Sequence, residues 1–294
     1  MPPSKSLFWP LAGLVMASLI WASSFVAFKL TFRSYAPMQV VFARMAIGSF
    51  CLFLMRGRFR GLEYRPGDWK PLLFMAFCEP CLYFIFETWA LLNTTASQVG
   101  MITALLPLMV AVTARFVLNE RLTGRTIVGF VLAVGGAAWL SAGGLVSEQA
   151  PNPALGNFLE FLAMICAVGY TVMIKKLSHR YSPLFLTAVQ NYVGMIFFLP
   201  LVFVPPLTWP DRIDLLALAA TVYLGTVVTI GAFVLYSFGV SRIKASQASA
   251  FINLIPVFAA GLGWLILGET FTRLQYMASL VVLVGVFLSQ SRKR

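Results

Sequence analysis

The stretch Ala96–Glu120, ASQVGMITALLPLMVAVTARFVLNE, returns at Ala245–Glu269 as ASQASAFINLIPVFAAGLGWLILGE, with no gap between the two. At an offset of 149, Ala96, Ser97 and Gln98 fall on Ala245, Ser246 and Gln247, Pro107 falls on Pro256, and Glu120 on Glu269. Thr123 falls on Thr272 and Gly136 on Gly285. Earlier in the chain the offset is 146, with Lys29 on Lys175, Tyr35 on Tyr181 and Pro37 on Pro183. One three-residue length change joins the two registers. Leu on Leu means little in apolar sequence, so the polar residues and prolines in register carry the repeat.

Both copies are apolar almost end to end, and so is most of the chain. Of its 294 residues, 60% are apolar and 11% charged, where a soluble domain carries about 25% charged; the mean hydropathy is +0.85. So few charges cannot coat a water-facing surface. The solvent is lipid. A bilayer-crossing helix takes about 20 mainly apolar residues, and ten segments qualify: 9–31, 36–55, 70–92, 95–117, 123–142, 154–177, 183–204, 213–240, 244–267 and 272–290. Barrel strands would alternate apolar and polar over about ten residues, whereas these segments are continuously apolar. The first is too long for a signal-peptide core and is read as a retained helix.

The net charge of +12 could point to nucleic acid, but the placement of the charges points to a membrane. Threaded through ten spans from a cytoplasmic N-terminus, the chain puts 17 Lys and Arg on the cytoplasmic side. Four, Lys29, Arg33, Arg212 and Arg273, fall opposite, and Arg44 lies within a span. This is the positive-inside bias, and it sets both termini in the cytoplasm. Spans one to five repeat as spans six to ten. Because five is odd, the halves (residues 1–145 and 146–294) enter the membrane from opposite sides. The expected fold is therefore all-α and integral to the membrane: ten transmembrane helices as two inverted five-helix repeats around a central cavity, forming one structural unit. Such halves open a shared site to one side and then the other, the working principle of a transporter. Ten spans make a complete two-repeat unit, so a monomer suffices.

Polar groups inside a bilayer are costly and face a cavity or a partner helix. Span three carries Glu79, Tyr83 and Glu87, and span nine Ser246, Ser249 and Asn253, both at helical spacing. Span eight gives Thr226, Thr229 and Tyr236, span four Gln98 and Met101, span one Trp21 and Ser24, and span six Tyr170 beside Thr171. Each Ser, Thr, Asn or Gln is either pathway or interhelical glue. Trp21 lies near mid-membrane, where it could wall a pathway and stack on a ring. Glu79 lies roughly 13 Å deep at 1.5 Å per residue; it is either the ion-pair partner of Arg44, which could also reach Glu87, or a proton-coupling or amine-binding site. Glu120 and Glu269 are expected to order the turns before the next helices, with Thr272-x-x-Gln275 a capping box. Pro107 and Pro256 read as one hinge per half or as static kinks, and Pro80 also interrupts a span. Cys78 and Cys81 have CxxC spacing, but within a span they read as packing residues rather than a redox pair.

Trp21-Ala-Ser-Ser-Phe25 resembles the W-G-x-x-F motif of the drug/metabolite transporter superfamily, EamA type, with Ala22 where that family usually has Gly. Arg44 resembles its intramembrane arginine. Leu105-Leu-Pro-Leu108, Leu118-Asn-Glu-Arg121 and Ile255-Pro256 with Leu267-Gly-Glu269 resemble its repeated P-(x)n-E signature. The resemblance covers nearly the whole chain and, within the superfamily, runs to the bacterial aromatic amino acid exporters. It implies a bacterial inner-membrane exporter of small metabolites, amino acids among them, with spans one, three, four, six, eight and nine lining the path. No nucleic acid, metal or cofactor is implied, and without a Walker-type loop ATP is not the direct driver. An enzyme would need a nucleophile–base pair or metal cluster, for which one His (His179) is too few. An exchanger of nucleotide sugars or sugar phosphates, or a passive channel, are the alternatives.

Overall fold

The structure, a computed structural model, describes residues 8–59, 64–117, 124–204 and 213–289. Among these, eight helical segments are long and apolar enough to cross a membrane: α1 (Phe8–Thr31), α2 (Pro37–Leu54), α3 (Trp69–Asn93), α4 (Ala96–Val117), α6 (Pro153–Leu177), α7 (Pro183–Phe203), α8 (Leu215–Arg242) and α9 (Gln247–Leu267). Two further helices, α5 (Gly124–Ala142) and α10 (Arg273–Ser289), carry the shorter apolar segments Ile127–Ala142 and Arg273–Leu288 and lie where the fifth and tenth spans are expected. Residues 118–123, just before α5, lie outside the described residues, and with them Glu120 and Thr123.

Local chemistry sets where the helices start. Proline opens α2, α6 and α7, where its missing N–H costs nothing. Asn152, Ser182, Thr95 and Asp214 cap α6, α7, α4 and α8 by accepting from backbone N–H groups one turn in. Thr272 and Gln275 close the reciprocal pair that their spacing predicts, at 2.8 and 3.2 Å.

Three of these helices are broken where the prolines fall. α3 is interrupted at Glu79, whose backbone is extended (φ −146°, ψ 115°), just before Pro80. α4 parts between Thr103 and Leu106, beside Pro107. α9 tightens over Ala250–Leu254 before Pro256. Each proline removes a donor and frees the carbonyl one turn earlier. The wider i→i+5 winding of Leu224–Ala232 in α8, and that of Gly263–Leu267 in α9, have no proline.

The main apolar core is built from α1, α2, α3, α4, α6, α7, α8 and α9, with Phe25, Phe28, Phe84, Phe198 and Phe233 among its buried residues. α5 and α10 pack on each other at glycines. A Cβ on Gly136 would meet the Val282 nitrogen at 2.8 Å, and one on Gly285 the Ala133 nitrogen at 2.6 Å. Only glycine lets two helix backbones come this close. A second cluster, including Met101, Leu105, Ala133 and Val282, ties this pair to α4. The outer faces are strongly apolar, with Phe116, Leu265 and Phe287 more than two-thirds exposed. A water-facing monomer rarely shows such surface; a lipid-facing one requires it.

Two aspartates tie turns to helix starts. Asp68, just before α3, is gripped by both arms of Arg180 (2.7 and 2.9 Å) and by the Tyr181 hydroxyl (2.6 Å). Asp214, just before α8, accepts from Ser34 Oγ at 2.5 Å, and its carbonyl accepts from the Tyr35 hydroxyl at 3.1 Å.

Candidate functional site

Where α1, α2, α3, α4, α6, α8 and α9 meet they leave a cavity of about 490 Å³ with the open solvent at its mouth included. Its walls are largely aromatic. Trp21 meets Phe233 edge-on at 5.3 Å and Tyr236 at 4.9 Å between ring centres. Tyr83, Phe84 and Tyr170 complete the wall. Tyr236 and Thr171 share a hydrogen bond of 3.1 Å, while Ser24 spends its hydroxyl on the Trp21 carbonyl (2.7 Å).

The charged groups lining it are the carboxylates of Glu79 and Glu87 and the guanidinium of Arg44, with the carboxylate of Glu160 behind Thr103. Glu79 projects from the break in α3 and lines the cavity, nearly fully buried. Two turns on, Glu87 accepts from the Tyr83 hydroxyl at 2.6 Å through Oε1, and its Oε2 has no partner. Glu160 of α6, fully buried, accepts from Thr103 Oγ1 at 3.2 Å, and its Oε2 is likewise unpartnered. The sequence reading passed over Glu160. Its signal was there, since Glu160, Met164, Ala167 and Thr171 follow helical spacing, and the last three line the cavity.

Arg44 forms no ion pair with Glu79 or Glu87; among the described residues the ion pair within 4.0 Å is Arg180–Asp68. Aromatic faces and a hydroxyl take the guanidinium instead. Its carbon lies 4.2 Å from the ring centre of Phe84 and 5.3 Å from that of Phe28, and Nε donates to Thr229 Oγ1 at 3.0 Å. Thr229 in turn donates to the Leu224 carbonyl inside the widened stretch of α8. Thr229 is not among the residues lining the cavity and meets it through its bond to Arg44.

Of the residues singled out from sequence, Trp21, Ser24, Glu79, Tyr83, Tyr170 and Tyr236 line one cavity. Gln98 lies apart from it and accepts from Asn157 at 2.9 Å, joining α4 to α6. Met101 belongs to the second apolar cluster, and Ser249 is buried in α9. Asn253 buries both amide atoms without a partner, next to the lining residue Ile252. The Ser246 side chain lies outside the described residues. Pro107 and Pro256 each follow a lining residue, Leu106 and Ile255.

Glu269 does not order the turn before α10. Its carboxylate caps α4, accepting from Ala96 N (2.8 Å), Ser97 N (2.9 Å) and Ser97 Oγ (2.6 Å), where the positive end of the helix favours an anion. Gly263 makes the fit possible, since a Cβ there would lie 2.5 Å from Ser97 Oγ. Beside it is an outer recess holding Lys29, Arg33, Glu148 and Gln149. Lys29 donates to the Gln149 carbonyl at 2.7 Å and is not among the residues lining the central cavity. Cys78 and Cys81 are buried and carry no disulfide. Cys78 packs on Gly169, where a Cβ would come within 2.8 Å of its sulfur.

Comparison with known proteins fits this architecture. The model of the EamA-like transporter family matches residues 8–142 and again 154–290. The uncharacterized transporter YetK of Bacillus subtilis is 28% identical over 225 residues, 76% of this chain and 68% of that one. A Streptantibioticus cattleyicolor protein named a probable terminal-alkyne amino-acid exporter is 24% identical over 281 residues, 95% of this chain and 93% of its own. A solved crystal structure overlays with a TM-score of 0.69 over 96% of each chain at 19% identity, which speaks to the fold alone.

Proposed function

The chain belongs to the EamA-like transporter family, and on that footing we propose that it exports small metabolites, amino acids including aromatic ones, by alternating access of two inverted repeats. The family model's double match supports the two-repeat reading. So do positions related by the offset of 146, which make like contacts: Asp68 is held by the turn carrying Tyr181, and Asp214 by the turn carrying Tyr35. With 19 and 17 residues, α5 and α10 span about 28 and 26 Å, close to the roughly 30 Å of bilayer hydrocarbon, so ten crossings are feasible. The positive-inside charge bias supports cytoplasmic termini, and the sequence motifs support a bacterial inner membrane as the location.

The observation that carries the substrate reading is the cavity itself: aromatic walls around carboxylates and a single guanidinium. Such a lining matches a zwitterion with an apolar side chain. A sugar phosphate or nucleotide sugar would need several cations, and among the described residues Arg44 is the one cation lining the cavity. The relative named an amino-acid exporter supports the same class. The test is uptake of labelled phenylalanine, tryptophan, threonine and a nucleotide sugar into liposomes holding the purified protein. Saturable amino-acid flux is expected. Nucleotide-sugar flux without amino-acid flux would overturn the substrate class, and flux that rises without saturation would mark a passive channel.

A further inference from the structure

The recess beside the Glu269 cap measures about 590 Å³ with the open solvent at its mouth included. Charges of both signs line it: Lys29 and Arg33 against Glu148 and Glu269. None of them closes on another, since among the described residues the ion pair within 4.0 Å is Arg180–Asp68. The structure holds two of these charges apart. Glu269 spends both carboxylate oxygens on the start of α4. Lys29 gives one donor to the Gln149 carbonyl, and the Gln149 side-chain amide donates to the Leu267 carbonyl at 3.4 Å. An ammonium has three donors, so Lys29 keeps donors to spare. Arg33 and Glu148 are exposed at the mouth. Beneath the charges the floor is apolar, made by Phe32 and by Leu91 and Leu92 at the end of α3. An apolar floor with a few polar groups at fixed separation is how small-molecule sites are built. Phe32 also starts an aromatic ladder that runs inward. Its ring lies 5.3 Å from that of Phe28, and Phe28 lies 6.3 Å from Phe84 on the central wall.

We propose that this recess is a second binding site, which takes a free amino acid with an apolar side chain after it leaves the central cavity. Its place on the exit path rests on the transport reading; the chemistry of the site does not. The ligand's carboxylate meets Lys29 and Arg33, its ammonium meets Glu148, and its side chain lies on Phe32 and Leu92. A plain anion would set its charge against Glu148 and Glu269, and a plain amine would set its charge against Lys29 and Arg33. The pattern therefore selects a molecule that carries both charges. The two sites share a helix, because Glu269 lines the recess while it caps α4, and Thr103 and Leu106 of α4 line the central cavity.

The test places a reporter on the floor, Leu92→Cys, in the purified full-length protein in detergent. Its modification by a charged thiol reagent is followed, with the wild-type protein as the blank for the native thiols. Phenylalanine is expected to slow the reaction saturably. Phenethylamine and 3-phenylpropionate should need a concentration about fivefold higher or more, since each lacks one charge pair and meets unrelieved like charge. Arg33→Glu, at an exposed position, should abolish the protection. If Leu92→Cys does not fold, equilibrium dialysis of labelled phenylalanine decides: Arg33→Glu should bind one molecule fewer per chain than wild type, and equal binding overturns the proposal. Equal protection by all three ligands, or protection that survives Arg33→Glu, overturns it too. So does protection whose half-maximal concentration shifts with Trp21→Ala, which would put the ligand in the central cavity. Protection already present in phosphatidylethanolamine nanodiscs without amino acid would give the recess to a lipid headgroup instead. The two readings fail separately. Protection with no flux into liposomes leaves this site standing and removes transport. Saturable flux with no protection leaves transport standing and removes this site.

Discussion

Arg44 is a permanent charge in the middle of a membrane protein, and what holds it is mostly hydrocarbon. Its planar guanidinium lies over Phe84 while Nε reaches Thr229. A lysine ammonium has neither the flat face nor the fixed donor direction. Arg44→Lys should therefore cost about 2 kcal/mol, the scale of a desolvated cation–π contact. Thermal unfolding in detergent reads this directly, and an unchanged midpoint would show that the guanidinium geometry is dispensable. Trp21 is the matching case on the substrate side. Its contacts to Phe233 and Tyr236 are of the kind worth about 0.5–1.5 kcal/mol each. If a substrate ring adds one such contact, Trp21→Ala should raise the half-saturation constant of amino-acid uptake roughly two- to twelvefold; an unaltered constant would take Trp21 out of the pathway. Most of the cavity was legible at this scale, because polar and aromatic residues at helical spacing stand out in apolar sequence. The partners of Arg44 were not. A phenylalanine that shelters a charge and one that faces lipid are the same letter. Glu160 stands outside the pattern for a different reason: its stripe is otherwise Met, Ala and Thr, residues that also serve as ordinary packing.

At the scale of the helices, close contacts between backbones define what can move and what cannot. The glycine seam of α5 and α10 leaves no room for a side chain. Gly136→Val and Gly285→Val should each destabilise by about 1–3 kcal/mol through overpacking. Gly135→Val is the control on the same helix, since nothing lies within 4 Å of a Cβ there. Equal midpoints for Gly135→Val and Gly136→Val would contradict the seam. The Glu269 cap joins α9 to α4 in a different way, by charge. Glu269→Gln keeps an acceptor but loses the anion facing three donors, a loss of about 1–2 kcal/mol. A cysteine placed at Ala96 should then react faster with a polar thiol reagent, and equal rates would show that the cap is not what closes that end. The prolines announced the breaks in α3, α4 and α9. The widened winding in α8 was silent in the sequence, because it follows from Thr229 and its neighbours rather than from a residue that cannot donate. The role of Glu269 was misjudged because its partner lies 172 residues away along the chain, and spacing shows only near neighbours.

Taken whole, the molecule is a ring of helices around a charged, aromatic-walled chamber, fastened at its turns by aspartates. Asp68 makes that fastening sensitive to acid. The Tyr181 hydroxyl, and after it Arg65 N and Arg180, hold its carboxyl below the usual 3.8 against the opposing effect of burial. A carboxyl lowered in the folded state contributes stability in full above its unfolded value and loses it as pH falls through the folded one. The stability gap between wild type and Asp68→Asn should therefore be constant above about pH 4 and close below it. A gap that stays open at lower pH would assign the effect to packing rather than charge. The seam between α5 and α10 has one more consequence, for how the protein is made. It joins a helix completed near the middle of this sequence to one made about 130 residues later. At about 5–20 residues per second, α5 waits roughly 7–26 seconds in the bilayer with its glycine face uncovered before its partner arrives. A ribosome that stalls before α10, or a nonsense codon ahead of it, would leave that face bare, an exposed mark by which a quality-control protease could recognise a chain that lacks α10.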